Sequence, residues 1–209
     1  MMNSKYYGIG ILVVSSFLFG CNDVNKKVIK FKKDIPDSME YSYNIHKMEV
    51  QNLNLTNIEN GTDSLEIRIW YRNELFIGVD YILIVSIKQN HTNGFIYRYW
   101  RKDFGLIDSF KVKNVLPKSS WYNFFKKIEK ERIYELPSAD KIPNFKYRHT
   151  DGYSWFIEIA MKSSYSEYSY SNPEIYAKEF PECEQMNRIA KILWEEFEYV
   201  RNPELRSIK

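Results

Sequence analysis

The residues best suited to acid–base chemistry lie close together in the second half of the chain. The run Arg148-His149-Thr150-Asp151-Gly152 places a histidine beside a carboxylate, and Glu158 follows in the next apolar segment. Such groups can act as general acid and base when the fold brings them into one cleft. Asp-Gly is also the pair that a two-residue hairpin turn requires, because both residues tolerate positive φ. We therefore interpret this run as a turn and Glu158 as a solvent-facing strand residue, and retain Asp151 and Glu158 as binding-site candidates.

The histidines and cysteines lack the spacing of a metal site. The three histidines are His46, His91 and His149, with dozens of residues between them, and the two cysteines are Cys21 and Cys183. Zinc and calcium sites show short ligand spacings, and the sequence contains neither Cys-x-x-Cys, nor His-x-x-x-His, nor a calcium loop. The eight glycines form no phosphate loop, and Gly-x-Ser-x-Gly does not occur. The sequence therefore predicts no metal, no nucleotide and no other cofactor.

A segment rich in aromatic residues and cations is the second candidate for binding. Tyr97-Arg98-Tyr99-Trp100-Arg101-Lys102 alternates rings with positive charges, a pattern that can stack on planar groups and pair with carboxylates or phosphates. The alternative is a structural strand whose aromatic face packs against a helix, because such a strand would have the same sequence pattern. The net charge is +3, with acids and bases mixed along the chain, unlike the basic stripe of nucleic-acid-binding proteins. Arg98 and Trp100 are thus candidates for contact with a protein or glycan, and no nucleic acid partner is expected.

The first 21 residues are organised like a secretory signal. Lys5 supplies a positive region, and residues 9–19 form an apolar run interrupted only by Gly10 and two serines. The run has the length of a signal-peptide core and is shorter than the about 20 apolar residues that cross a membrane. It ends in Leu18-Phe19-Gly20-Cys21, which resembles the lipobox of bacterial lipoproteins: an aliphatic residue, a tolerant position, a small residue and a cysteine.

The resemblance to bacterial lipoproteins covers residues 1–21 and implies a membrane anchor. It implies that the Cys21 sulfur carries a diacylglycerol, that a peptidase cuts before Cys21, and that the new amine is a site for acylation, as by palmitate. Two or three acyl chains anchor a protein stably. The protein would then lie in the cell envelope, on the periplasmic or extracellular side of a membrane. The alternative is an ordinary secretory signal or signal anchor with an incidental cysteine. With Cys21 lipidated, Cys183 is an unpaired structural thiol near a helix start.

The chain divides into four segments. We expect a signal peptide at 1–20, the lipidated cysteine and a flexible tether at 21–39, one folded domain at 40–203 and a C-terminal tail at 204–209. Hydrophobic residues make up 44% of the chain and charged residues 27%, which fits one folded domain of this length. Five lysines in the tether could lie along anionic headgroups or simply keep a linker solvated.

Hydrophobic periodicity predicts the elements of the domain. Strands are expected at 41–50, at 65–72 with one buried face, at 81–87 as a central strand buried on both faces, and at 95–100 after a turn at Asn93-Gly94. A further strand is expected where apolar residues alternate, and two helices where they recur every three or four positions. The strand carries Trp155, Ile157, Ile159 and Met161; the first helix, capped by Ser119 or Ser120, carries Trp121, Phe124, Phe125 and Ile128; the last carries Met186, Ile189, Ala190, Leu193 and Phe197.

These patterns predict an α+β fold in which two main amphipathic helices pack on an antiparallel sheet. The functional hypothesis is a membrane-anchored envelope lipoprotein whose domain binds a protein or a glycan and is not an enzyme. The alternative is a lipid-anchored hydrolase that acts on cell-wall or sugar substrates with acids such as Asp151 and Glu158. The membrane is an expected partner through the lipid, and neither nucleic acid nor nucleotide is expected.

Overall fold

The computed structural model describes residues 37–73, 78–89, 91–103, 106–147 and 152–199 of the 209-residue chain. Cys21, the predicted signal peptide, His149 and Asp151 lie outside these residues. The elements, in chain order, are α1 Asp37–Asn52, β1 Thr62–Asn73, β2 Gly78–Lys88, β3 His91–Asp103, β4 Leu106–Asn114, α2 Trp121–Lys130, a 3-10 turn Ala139–Lys141, β5 Tyr153–Lys162, β6 Ser164–Ser171, α3 Pro173–Tyr176 and α4 Pro181–Phe197.

The six strands form one antiparallel sheet in the order β4-β3-β2-β1-β5-β6. The first four strands form a meander that runs outward from β1, and β5 and β6 continue the sheet on the other side of β1. The predicted α+β class and the antiparallel sheet are confirmed. β4 and β6 are the two edge strands.

The main core lies between one face of the sheet and helices α2 and α4. The strands contribute alternate residues, as predicted, and the helices contribute their apolar faces. The buried side chains include Ile67, Ile69, Leu83, Val85, Trp155, Ile157, Phe124, Ile128, Met186, Ile189 and Leu193. Burial of each large apolar side chain contributes roughly 1.5–3 kcal/mol. Ser120 caps α2, since its side chain accepts a hydrogen bond from the Asn123 backbone N–H at 3.2 Å.

Helix α1 covers the opposite face of the sheet and forms a smaller second core. Its buried residues are Leu53, Trp70, Ile82, Ile84 and Tyr99. The sheet is therefore covered on both faces near its centre. The polar positions of β1 and β5, which alternate with the main-core residues, lie beneath α1 and not in water.

The predicted strand at 41–50 is wrong, because these residues belong to α1. The buried positions of this helix and of the turn that follows it include His46, Glu49 and Leu53, at the i, i+3, i+7 spacing of one helical face. Two of the three are polar, so hydrophobic periodicity does not reveal the face. The helix also begins at Asp37, inside the segment expected to be a tether.

The predicted turn at Asn93-Gly94 is also wrong. Both residues lie within β3, where Gly94 is opposite Val85, and the chain reverses between Lys88 and His91, which are opposite each other. Glycine is required at position 94 for lack of space and not for a turn. A Cβ at this position would lie 2.6 Å from the Trp121 ring and 2.9 Å from the Val115 carbonyl oxygen, so the glycine allows α2 to approach the sheet.

Gly152 is not the turn of a hairpin that leads into β5. The described residues before it, 145–147, form no strand, and β5 pairs with β1 and β6. Gly152 has a φ of 119°, and a Cβ there would lie 2.1 Å from Asn172 Oδ1. The glycine therefore serves a close contact with the turn before α3, at a positive φ that disfavours other residues.

Candidate functional site

The candidate residues fall on opposite faces of the sheet. Glu158 lies in β5 beneath α1, whereas Arg98 and Trp100 lie in β3 on the face that carries the main core. Tyr99, between them, points to the α1 side and is buried. Cys21 and Asp151 are not among the described residues. The structure therefore separates two regions. One is a buried polar cluster around Glu158, beneath α1, and the other is an aromatic and cationic region around Arg98 and Trp100.

Glu158 is not solvent-facing, as the sequence had suggested, but only 2% exposed. Its Oε2 accepts a hydrogen bond from Trp70 Nε1 at 2.6 Å, and its Oε1 accepts one from the Tyr165 hydroxyl at 3.0 Å. Oε1 also lies 3.3 Å from His46 Nε2. The alternation within β5 identified the correct face, but the prediction failed because α1 covers that face.

His46 has both ring nitrogens occupied. Arg72 Nη2 lies 2.7 Å from His46 Nδ1, and a guanidinium only donates, so Nδ1 must be the acceptor. The ring proton then resides on Nε2 and points to Glu158. The ring also packs edge-on against Trp70 and Phe156, with centroids 4.8 and 4.9 Å apart. His46 in this position is held as a structural group and has no free nitrogen for a substrate proton.

Three ion pairs surround this cluster. Glu49 Oε2 accepts from Arg72 at 2.7 Å, Glu66 Oε1 accepts from Arg68 at 2.7 Å, and the Asp80 carboxylate pairs with Arg101. The guanidinium of Arg68 also donates to the Thr56 carbonyl at 2.6 Å. A buried charge is tolerated only when it is paired in this way. These contacts fix α1 and the segment that follows it against the sheet.

The cluster shifts the pKa of its carboxyl groups in opposite directions. Burial alone would raise the pKa of Glu158, but the His46 hydrogen bond, the Arg68 charge and the Trp70 hydrogen bond together hold it below its usual value. Burial raises the pKa of Asp80 to about 6, although Arg101 and the Asn73 backbone N–H act to lower it. Burial also raises the pKa of Glu167, which lies 2.7 Å from the Tyr165 hydroxyl. Glu158 is therefore an anion in a closed network.

No metal centre occurs in the part of the chain that the structure describes, and the pockets identified there are small. Within it, no group of three or more histidine, cysteine, aspartate or glutamate residues could hold a metal ion. Two pockets there each have a volume of about 220 Å³. Small-molecule sites usually occupy roughly 300–1,000 Å³. One of these pockets lies between Lys113, Leu116 and the end of α4.

The second region consists of three exposed cations, Arg98, Lys111 and Lys113, and the half-buried ring of Trp100, and we call it the cationic surface. Arg98 is opposite Lys111, and Lys113 follows two residues later on the same face of β4. The Arg98 guanidinium lies 4.8 Å from the centre of the Trp100 ring, and Lys111 Nζ lies 5.8 Å from it. Among the described residues, no carboxylate is within ion-pair distance of these three cations.

The helices leave Arg98, Trp100 and Lys111 open because they cover only the other end of β3, where Lys113 lies beside the end of α4. Trp121 of α2 packs over Gly94, and Arg98 lies four residues further, about 13 Å along an extended strand. Tyr81 marks the boundary, since its ring lies 5.9 Å from the Arg98 guanidinium and 6.4 Å from the Tyr199 ring. A large partner could therefore contact this end of the sheet face without displacing a helix.

The sequence alone did not reveal several residues of the buried polar cluster and of the cationic surface. His46 and Glu49 were missed because 41–50 was interpreted as a strand, although their i, i+3 spacing is helical. Lys111 and Lys113 were missed because nothing local links them to Arg98. The alternation Phe110-Lys111-Val112-Lys113 was an available signal for an edge strand with one cationic face.

Neither a protein-family model nor a curated protein matches this chain. The basis for a functional proposal is therefore the α+β fold and the placement of its charged groups. Among the described helices, none is long and apolar enough to cross a membrane.

Proposed function

We propose that this chain is a lipid-anchored envelope protein whose domain binds an anionic protein or glycan through the cationic surface, without catalysis. One observation carries the proposal: acid–base groups of the buried cluster are paired internally, whereas Arg98 and Lys111 lie over the Trp100 ring with no carboxylate of the described residues within ion-pair distance. Lys113 extends this surface on the same face of β4, where its charge helps to lower the pKa of the exposed Glu198 carboxyl. Unpaired cations beside an aromatic ring attract carboxylates and offer a planar contact.

The hydrolase alternative gains no support from Glu158. A catalytic acid must reach the atom that it protonates, and both Glu158 oxygens already accept hydrogen bonds from Trp70 and Tyr165 in a buried position. Its lowered pKa also disfavours the protonated form that a general acid needs near neutral pH. Asp151, its expected counterpart, lies outside the described residues.

The lipid anchor is proposed from Leu18-Phe19-Gly20-Cys21 alone. Metabolic labelling with a fatty-acid analogue tests it directly, by comparison of the wild-type chain with Cys21→Ala. We expect the label on the wild type and none on the variant, because the Cys21 sulfur and amine are the acceptors. Equal labelling of the two chains would exclude lipidation at Cys21.

Binding is tested with two polyanions that represent the two partner classes, polyglutamate for proteins and polygalacturonate for glycans. The purified full chain in detergent should bind at least one of them. Arg98→Ala with Lys111→Ala should weaken binding about fivefold, since each exposed charge contact contributes roughly 0.2–1 kcal/mol. Lys126→Ala with Lys141→Ala, which removes two exposed charges elsewhere, is the matched control and should bind as the wild type does. Absence of binding to both polymers, or equal loss in both double variants, would contradict the proposal.

A further inference from the structure

The two edges of the sheet differ in how they are covered. On β6, the Ser169 backbone N–H donates to Ser138 Oγ at 3.2 Å, and Tyr168 and Tyr170 donate to the Ile133 and Pro137 carbonyls. The segment between α2 and β5 thus lies along that edge. On β4, backbone hydrogen bonds within the described residues go only to β3. Among the described residues, the backbone groups on the outer edge of β4 thus have no backbone partner, and groups of this kind can accept another strand.

The hydrogen-bond pattern identifies which backbone groups of β4 point outward. The Val115 N–H donates to the Gly94 carbonyl at 2.9 Å, so Val115 and Gly94 form a hydrogen-bonded pair. Such pairs alternate with non-hydrogen-bonded pairs along an antiparallel ladder. Lys113 and Lys111 are then bonded to β3, and the N–H and C=O groups of Phe110 and Val112 point away from the sheet.

The side chains along β4 alternate between two chemistries. Phe110 and Val112 lie on the α1 side and are 38% and 47% exposed, which is high for large apolar residues. Lys111 and Lys113 lie on the other side, as part of the cationic surface. A strand added to this edge would place its side chains directly opposite these residues. Its complementary sequence alternates an apolar residue with an acidic one.

We propose that the partner is an extended acidic segment of another protein, which adds to β4 as a seventh strand of the sheet. This inference rests on the proposed function and narrows its partner class from any anionic macromolecule to a protein segment. The apolar side chains of the segment pack on Phe110 and Val112, and its carboxylates face Lys111 and Lys113. Backbone pairing supplies affinity, and the alternation supplies specificity.

A second copy of this chain fits the edge less well. Antiparallel pairing of two β4 strands in one continuous sheet would place Lys111 and Lys113 of both copies on the same face. Like charges on neighbouring strands disfavour pairing. The charge of β4 therefore selects an acidic segment over its own copy.

Fluorescence anisotropy with peptides tests the inference on the full chain in detergent. The probe is a labelled nonapeptide of alternating valine and glutamate, matched to the nine residues of β4. The control peptide has the same composition with its glutamates clustered. We expect the alternating peptide to bind at least tenfold more tightly. Lys111→Glu with Lys113→Glu should abolish this preference, and Lys126→Glu with Lys141→Glu should retain it.

N-methylated peptides test the backbone pairing without any change to the protein. In the proposed register the valines lie opposite Phe110 and Val112, so the valine N–H groups pair with β4 and the glutamate N–H groups point away. Methylation of the valine nitrogens should reduce affinity at least tenfold, and methylation of the glutamate nitrogens should leave affinity unchanged. Equal effects of the two modifications would overturn strand addition.

The remaining outcomes separate this inference from the proposed function. Equal binding of the alternating and clustered peptides would leave an anion-binding surface but overturn strand addition. Binding of polygalacturonate with no binding of either peptide would identify a glycan partner and overturn the inference alone. Self-association in sedimentation, lost in Val112→Pro, would assign the edge to a second copy. Absence of binding to every anionic probe would overturn both proposals.

Discussion

A buried carboxylate must have its lone pairs satisfied, and Glu158 meets this need with Trp70, Tyr165 and His46. Hydrogen bonds to a charged group contribute more than those between neutral groups. The same contacts that stabilise the anion also prevent it from reaching a substrate. The residue is therefore part of the attachment of α1 to the sheet.

Replacement of this carboxylate tests its structural role. Glu158→Gln retains the size of the side chain but places an amide NH2 against hydrogen-bond donors. We expect a loss of about 2–4 kcal/mol in the free energy of unfolding at pH 7, measured by urea denaturation. Glu129→Gln, on the exposed side of α2, should change stability by less than about 0.5 kcal/mol.

The difference in the free energy of unfolding between the wild type and Glu158→Gln should depend on pH with a defined sign. The pKa of Glu158 is lower in the folded chain than its usual value of 4.5. A group with a lowered pKa contributes stability that is fully present above its unfolded value and is lost as the pH falls through its folded value. The difference between the wild type and Glu158→Gln should therefore be constant above about pH 5.5 and shrink below pH 4.5. A difference that grows on acidification would contradict the pairing.

At the scale of elements, α1 is held by polar contacts more than by an apolar face. Arg72 in β1 donates to both His46 and Glu49 of this helix, and Leu53, just after its end, enters the second core. Removal of one partner from a buried ion pair leaves the other charge uncompensated. The stability of α1 on the sheet thus depends on a few residues.

Hydrogen exchange tests whether the polar contacts of Glu49 hold α1 on the sheet. Glu49→Gln keeps the shape of the side chain but removes the charge that pairs with Arg72. Amide protection in the second half of α1 should fall about tenfold or more, equivalent to roughly 1–3 kcal/mol, while β5 keeps its protection. Gln51→Ala, an exposed change in the same turn, is the control. Unchanged protection in Glu49→Gln would show that apolar contacts alone hold α1.

The sequence was sufficient for elements whose buried face is apolar. In β1, β2, β5, α2 and α4 the apolar residues recur with the correct period, and each element forms as predicted. The first helix could not be predicted this way, because His46 and Glu49 occupy its buried face. Its absence from the prediction also made Glu158 look solvent-exposed.

The cationic surface could be predicted only in part, because its residues are brought together by tertiary structure. Arg98 and Trp100 share a face of one strand, which local alternation reveals. Lys111 joins them through the antiparallel register of β3 and β4, and that register depends on tertiary pairing. The absence of a covering helix at this end depends on where α2 docks, at Gly94. Local sequence reveals neither the register of β3 with β4 nor the docking position of α2.

At the scale of the whole molecule, the number of free thiols reports on the anchor. Cys183 is buried in the main core, and burial raises its pKa to about 12, so the folded thiol should not react with a thiol reagent at pH 8. The denatured chain isolated from membranes should show one thiol if Cys21 carries a lipid. Cys183→Ser should then show none. Two thiols in the denatured wild type would contradict the thioether at Cys21.

Co-sedimentation tests the lipid anchor and binding through the cationic surface together. Membranes from cells that express each chain are mixed with the alternating valine–glutamate probe and pelleted. We expect the probe in the pellet with the wild type, and in the supernatant with either Cys21→Ala or Lys111→Glu with Lys113→Glu. Equal amounts of probe in the pellets of the wild type and the lysine variant would contradict binding through this surface.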